Sequence, residues 1–212
     1  MAGDLKYRRP AAGGEAWSNL HLPQSRIDSA CGALSFLQAA MVLCGLSRSS
    51  VERIALASKP PLRTFWELAS RHHFDGTNEV DIAGYVGAFE PELSCQVMAT
   101  SSPKRIGAAV ATAIGDGAVP LLRFESRRFS HFTTVIGYET GDGKSVSALL
   151  CLDPSGTTPW ITGYNARCDL TRRAGPGIRA SKGFTVPYRY CDGESWSIRL
   201  QSLVVIQRAQ PP

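Results

Sequence analysis

The run HFTTVIGYETGDGKSVSALLCLDP, residues 131–154, decides how this chain is read. Two apolar, β-branched segments flank Gly141-Asp142-Gly143, which has the chemistry of a short hairpin loop. Centring the loop on Asp142 pairs Thr140 with Lys144, Thr133 with Cys151 and His131 with Asp153. Directly opposed residues of an antiparallel pair share a face, with Cβ atoms roughly 4.5–5.5 Å apart. This register predicts that Asp153 holds the His131 ring. A slip of one residue would put the two side chains on opposite faces. Pro154 ends the strand, since it cannot donate to a ladder.

Working outward, AVPLLRFES before this hairpin and GFTVPYRY and SWSIRLQSLVVIQ after it have the same strand chemistry. The chain ahead of Gly117 is different. Helices are expected over about 30–44, in VERIALAS under a Ser47 or Ser49 cap, in TFWELASRHHF and in EVDIAGYVGAF. SPKRIGAAVATAIGDG has Ser102 as cap and Pro103 at the first helical position. SCQVMAT reads as one short strand among them. A helical first half and an antiparallel second half define the α+β class. Residues 1–22 read as a Gly/Pro-rich lead-in and 23–212 as one domain. Residues 155–212 extend the sheet, with an unassigned Gly/Arg-rich loop over about 154–183.

The chain has 212 residues, 43% of them hydrophobic, 19% charged, and a net charge of +5. That balance favours a filled core over disorder. Without a block of like charge, it argues against a nucleic-acid role. No apolar run nears the roughly 20 residues of a membrane helix, and the first residues lack an apolar signal core. A cytoplasmic protein is expected. The six cysteines form no CxxC pair, which argues against zinc and for reduced thiols. No metal and no cofactor are expected.

Cys31 and Cys44 bracket one helix. Leu34, Leu37 and Met41 recur at helical spacing, and Gly45 follows the end. With Asp28 or Ser29 as cap, Cys31 falls in the first turn, where unpaired N–H groups and the helix dipole favour a thiolate. Gly32 leaves room beside the sulfur for a substrate backbone. Cys44 is on the order of 20 Å away at the opposite pole and reads as packing. A thiol nucleophile needs a base and a group that orients it. His131 and Asp153 supply these, and Gln24, in the loop entering the helix, supplies an amide donor for an oxyanion.

QSRIDSACGALSFLQA (24–39), VPLLRFE with SHFTTVIGYE, and Leu152-Asp153-Pro154 together resemble papain-like cysteine peptidases. The resemblance is closest to the bacteriocin-processing, double-glycine type and related bacterial effector proteases, and it covers about residues 24–156. It implies a papain-like fold, with the nucleophile helix packed on the sheet that carries His131. It also implies Cys31 as nucleophile, His131 as general base and acid, Asp153 as orienting group and Gln24 as oxyanion donor. Two departures stand out. Gln24 lies one residue further from the cysteine than is usual in the family, and Ala30 replaces the usual polar residue before the thiol.

The function expected is a cysteine endopeptidase acting on a protein or peptide and cutting after small residues such as Gly-Gly. Among such relatives are toxins, delivered by specialised export and neutralised by a cognate inhibitor or immunity protein. The same triad serves a deamidase, a transglutaminase or a cell-wall amidase. A third reading is a non-catalytic binding module, in which Arg127-Arg128 and Arg172-Arg173 join Tyr188 and Tyr190 on an anion-binding surface.

Overall fold

The computed structural model describes residues 5–7, 17–25, 28–141, 143–159, 163–171 and 185–209. In chain order the elements are β1 (Leu5–Tyr7), α1 (Trp17–Leu20), α2 (Cys31–Cys44), α3 (Arg48–Glu52) and α4 (Leu62–Ala69). There follow α5 (Glu79–Gly87), β2 (Leu93–Ala99), α6 (Pro103–Gly115), β3 (Val119–Glu125), β4 (Ser130–Thr140) and β5 (Val146–Leu152). The last three are β6 (Ala166–Asp169), β7 (Val186–Tyr190) and β8 (Ser195–Arg208).

Local chemistry sets the helix ends. Asn78 begins α5 with a capping box, its Oδ1 accepting from Val80 and Asp81 while the Asp81 carboxylate accepts from the Asn78 N–H. Ser47 caps α3 through the Ser50 N–H, and Ser102 caps α6 through the Arg105 N–H with Pro103 just inside. Gly45 ends α2 at φ 69°, a left-handed conformation that suits glycine.

The strands correct the expected papain-like arrangement. The sheet order is β1-β4-β3-β8-β7-β6-β5, and β5 also pairs with β4. Six antiparallel strands, β4-β3-β8-β7-β6-β5, therefore close into a barrel. The architecture is a barrel-like α+β fold and not a helical half laid on an open sheet. Closure comes through β6, which lies inside the loop left unassigned in the sequence. It pairs β5 at Leu149↔Cys168 and Leu150↔Arg167, and β7 at Cys168↔Tyr188. β2 and β1 lie outside the ring, on β8 and β4 respectively.

Two cores result, and they share strands. Leu122, Phe124, Val135, Leu149, Cys151, Val186 and Tyr188 belong to one cluster, to which α6 adds Ile106 and Val110. The other cluster joins α2, α4 and α5 to Leu121, Phe132, Ile136 and Val204 of β3, β4 and β8. Adjacent residues such as Leu121 and Leu122 thus serve different cores. This explains why consecutive residues are buried along both strands, 119–122 in β3 and 131–137 in β4. Phe36, Phe65, Tyr85 and Phe89 build the helical core, with the Phe36 and Phe65 rings stacked at 5.3 Å.

The β4–β5 register also differs from the expected one. Thr134 pairs with Leu152 and Val135 with Cys151; beyond a bulge Gly137 pairs with Leu150, and the ladder ends at Thr140↔Val146 instead of Thr140 with Lys144. Asp153 lies just past the end of β5. Between Thr134 and Cys151 the shift is two residues, an even number, so it preserves the faces of the side chains and leaves His131 and Asp153 as diagonal neighbours.

Candidate active site

Cys31 opens α2 and is 7% exposed. Ala30 occupies the cap position and makes no side-chain cap bond. Asp28 acts one step earlier, its carboxylate accepting from the Ala30 N–H (3.1 Å) and the Ser25 N–H (3.1 Å). The Ser29 N–H donates to the His73 carbonyl at 2.8 Å, tying the helix entry to the loop after α4. Gly32 is required by packing: a Cβ there would lie 2.6 Å from the Thr77 Cβ. Thr77 fills the space that the sequence reading reserved for substrate.

Farther along α2, polar side chains fasten the helix to β4. The Ser35 hydroxyl donates to the Phe132 carbonyl (3.3 Å), and the Thr134 hydroxyl donates to the Ser35 carbonyl (3.2 Å). The Gln38 amide bridges three groups, donating to Leu152 O (3.0 Å) and Thr134 Oγ1 (2.6 Å) and accepting from Leu22 N (3.2 Å). These bonds fix the thiol at the start of α2 relative to the imidazole at the start of β4.

His131 is 5% exposed and its Nε2 lies 2.8 Å from Asp153 Oδ1. His131 and Cys31 line the same cleft and lie close enough for each to act on the other's charge. With Nε2 taken by Asp153, Nδ1 is the nitrogen that serves the sulfur. Phe124 and Phe129 flank the ring at centroid distances of 5.3 and 6.0 Å.

Electrostatics favour the charge-separated pair. Burial alone would push the Cys31 thiol up, but the His131 charge, its hydrogen bond and the Phe132 N–H outweigh burial and lower the pKa. Burial would likewise lower His131, but the Asp153 carboxylate and the Cys31 thiolate raise it to about 10. Asp153 is fully buried, which alone would raise its pKa; the His131 charge and hydrogen bond, Tyr188 and the Ser155 N–H hold it below the usual carboxylate value. The shifts thus favour thiolate, imidazolium and carboxylate over their neutral forms.

The surroundings of Asp153 were not legible in the sequence. Both tyrosines of the supposed anion-binding surface point their hydroxyls at its Oδ2, Tyr188 in a short bond and Tyr190 at 3.3 Å. Tyr188 is wholly buried, which removes it from any surface; Arg172 and Arg173 lie outside the described residues. Asn165 grips the Asp153 backbone on both sides, accepting from its N–H and donating to its carbonyl, each at 2.7 Å. The His21 Nε2 donates to the same carbonyl at 2.9 Å, leaving Nδ1 to accept from the Thr158 hydroxyl at 3.1 Å. Asp153, Asn165 and His21 all have buried polar groups, and each is satisfied by the others.

Gln24 sits at the rim. Its N–H donates to Pro154 O (2.8 Å), its side-chain carbonyl accepts from the Ser155 hydroxyl (3.3 Å), and its amide nitrogen donates to Asp28 O (2.7 Å). One amide hydrogen remains, and Gln24 lines the same cleft as Cys31 and His131. That cleft has a volume of about 620 Å³, with Asp75, Arg123, Phe129 and Trp196 also on its walls. The other histidines lie elsewhere: His72 meets Asp81 at 3.4 Å, and His73 packs on Phe74. Cys44 is half-buried against the helical core, and burial pushes its thiol up.

Among the described residues, no group of three or more His, Cys, Asp or Glu could hold a metal ion, and no helix is long and apolar enough to cross a membrane. No family model matches the chain, and no curated protein matches it. Among solved structures, the crystal structure of UfSP from C. elegans is similar at 16% identity and a TM-score of 0.43, covering 99% of this chain. The alignment covers 33% of that protein, so this chain spans about a third of its length.

Proposed function

We propose that this protein is a thiol hydrolase, a cysteine endopeptidase that cuts a polypeptide substrate. The observation that carries the reading is the buried Asp153–His131 hydrogen bond of 2.8 Å, joined through the imidazole to the Cys31 thiol at a helix start. The Cys31 thiolate attacks the scissile carbonyl carbon, and the carbonyl π pair moves to oxygen. The Cys31 N–H and the remaining Gln24 amide hydrogen are the donors available to that oxyanion. The His131 imidazolium gives its Nδ1 proton to the leaving amine as the C–N bond breaks, leaving a thioester. Neutral His131 then takes a proton from water, the hydroxide displaces sulfur, and the thiolate–imidazolium pair is restored. Asp153 keeps the ring in the tautomer and orientation both steps need.

The test is a survey of newly formed protein termini in cells expressing the wild type or Cys31→Ala. New termini confined to the wild type are expected. Identical termini would end the peptidase reading. A one-unit mass gain on substrate Gln without cleavage would assign the same triad to deamidation.

A further inference from the structure

We infer that the turn between β3 and β4 carries a subsite for an acidic segment of the polypeptide substrate. The inference rests on the thiol-hydrolase reading for what occupies the neighbouring cleft. Arg127 and Arg128 stand on this turn, and it is rigid: Ser126 N donates to Phe129 O at 2.8 Å, and the Ser126 hydroxyl accepts from the N–H groups of Arg128 (3.1 Å) and Phe129 (3.2 Å). A row of rings leads there from the catalytic imidazole. Phe129 meets His131 edge-on at 6.0 Å, Trp196 meets Phe129 edge-on at 5.3 Å, and the Arg128 guanidinium lies 5.9 Å from the Trp196 ring centre. Beyond Trp196 a groove of about 590 Å³ is lined by Ser126, Arg127, Arg128, Trp196 and Ser197. Trp196 also lines the catalytic cleft, so the two cavities adjoin.

The charges sort by position. Arg123, in the cleft, is bound to Glu79 at 2.7 Å, and Arg199 to Glu125 at 2.7 Å. Arg127 and Arg128 are exposed, and among the described residues neither forms an ion pair. Inside the cleft the wall carries Asp28, Asp75 and Glu194. Carboxylates of a bound chain are repelled beside the thiol and attracted beyond Trp196. The fitting substrate therefore has uncharged or basic residues at the cut and Asp or Glu a short way along. Guanidinium groups bind carboxylates bidentately, and an adjacent ring keeps one guanidinium oriented.

Two measurements test this. Fluorescence anisotropy follows short labelled peptides, one Asp/Glu-rich and one neutral, on wild type, on Arg127→Gln/Arg128→Gln and on Arg127→Lys/Arg128→Lys. The acidic peptide is expected to bind more tightly than the neutral one, to weaken with salt, to lose about tenfold in the Gln double variant and to recover partly in the Lys one. A longer peptide, neutral ahead of its Asp/Glu run so that it enters the cleft, should also slow iodoacetamide alkylation of Cys31 in wild type. Equal binding of both peptides, an unchanged Gln double variant, or displacement by an oligonucleotide at lower concentration would each overturn the subsite. Slow alkylation of unliganded Cys31 at neutral pH, with acidic-peptide binding intact, would sink the hydrolase reading alone.

Discussion

Asp153 concentrates the residue-scale physics. Its carboxylate accepts from His131, Ser155, Tyr188 and Tyr190, and its backbone is held by Asn165 and His21. Replacing Tyr188 by Phe removes one donor and leaves ring packing intact. We expect kcat to fall about tenfold, KM to hold, and the acidic limb of the pH profile to move upward as the Asp153 pKa rises. Steady-state kinetics across pH reads both effects, and an unmoved limb would reduce Tyr188 to packing. The carboxyl lies below its ordinary value of 3.8. It contributes stability that is complete above 3.8 and lost as pH falls through the lower folded value. Urea melts between about pH 5 and pH 2 should therefore show a steeper loss for wild type than for Asp153→Asn. Cys31, His131 and Asp153 were legible in the sequence because each sits beside a recognisable boundary: a helix start, a strand start, a proline. Tyr188, Asn165 and His21 act across separations of 35, 12 and 132 residues, and no local pattern marks them.

Helix limits follow from local chemistry, so α2, α5 and α6 were read close to their observed bounds. Strand pairing was harder. The β4–β5 hairpin was placed from its loop, but the ladder ends at Thr140↔Val146 and a bulge at Ile136 shifts the partners. The diagonal meeting of His131 with Asp153 survives because the displacement there is even. β6 escaped notice because Ala166-Arg167-Cys168-Asp169 is short and half charged. Its charges are satisfied sideways, Arg167 lying 2.7 Å from Glu139 and 3.4 Å from Asp169. Between elements, Gln38 is the main polar fastener of α2. Gln38→Leu would leave the Leu22 N–H and the Leu152 carbonyl unpaired in a dry interior. A loss of roughly 2–3 kcal/mol is expected in chemical denaturation. A loss within error would show that another group takes over those bonds.

At the scale of the molecule, closure of the barrel is what the sequence hid. Each strand looked like part of an open sheet, and nothing local says that the first and last edges meet. Closure removes two exposed edges and lets β3, β4 and β8 bury both faces. The two cores are therefore mechanically one: Leu121 belongs to the helical side and Leu122 to the other. Phe124→Ala and Phe36→Ala remove fully buried rings from different cores, and each should cost about 3–5 kcal/mol. Both variants should still unfold in one transition, with far-UV dichroism and tryptophan fluorescence coinciding. Separated transitions would mean that the halves fold independently.

His21 belongs to the stretch that the sequence presents as a preamble, yet Leu20, His21 and Leu22 are buried, and Arg48 clamps the His21 carbonyl at 2.8 Å. Residues 20–22 are thus a strap whose buckle lies under Asp153. A nick on the amino side of Pro23 would let that strap peel away, leaving the barrel whole and the Asp153 carbonyl without its imidazole.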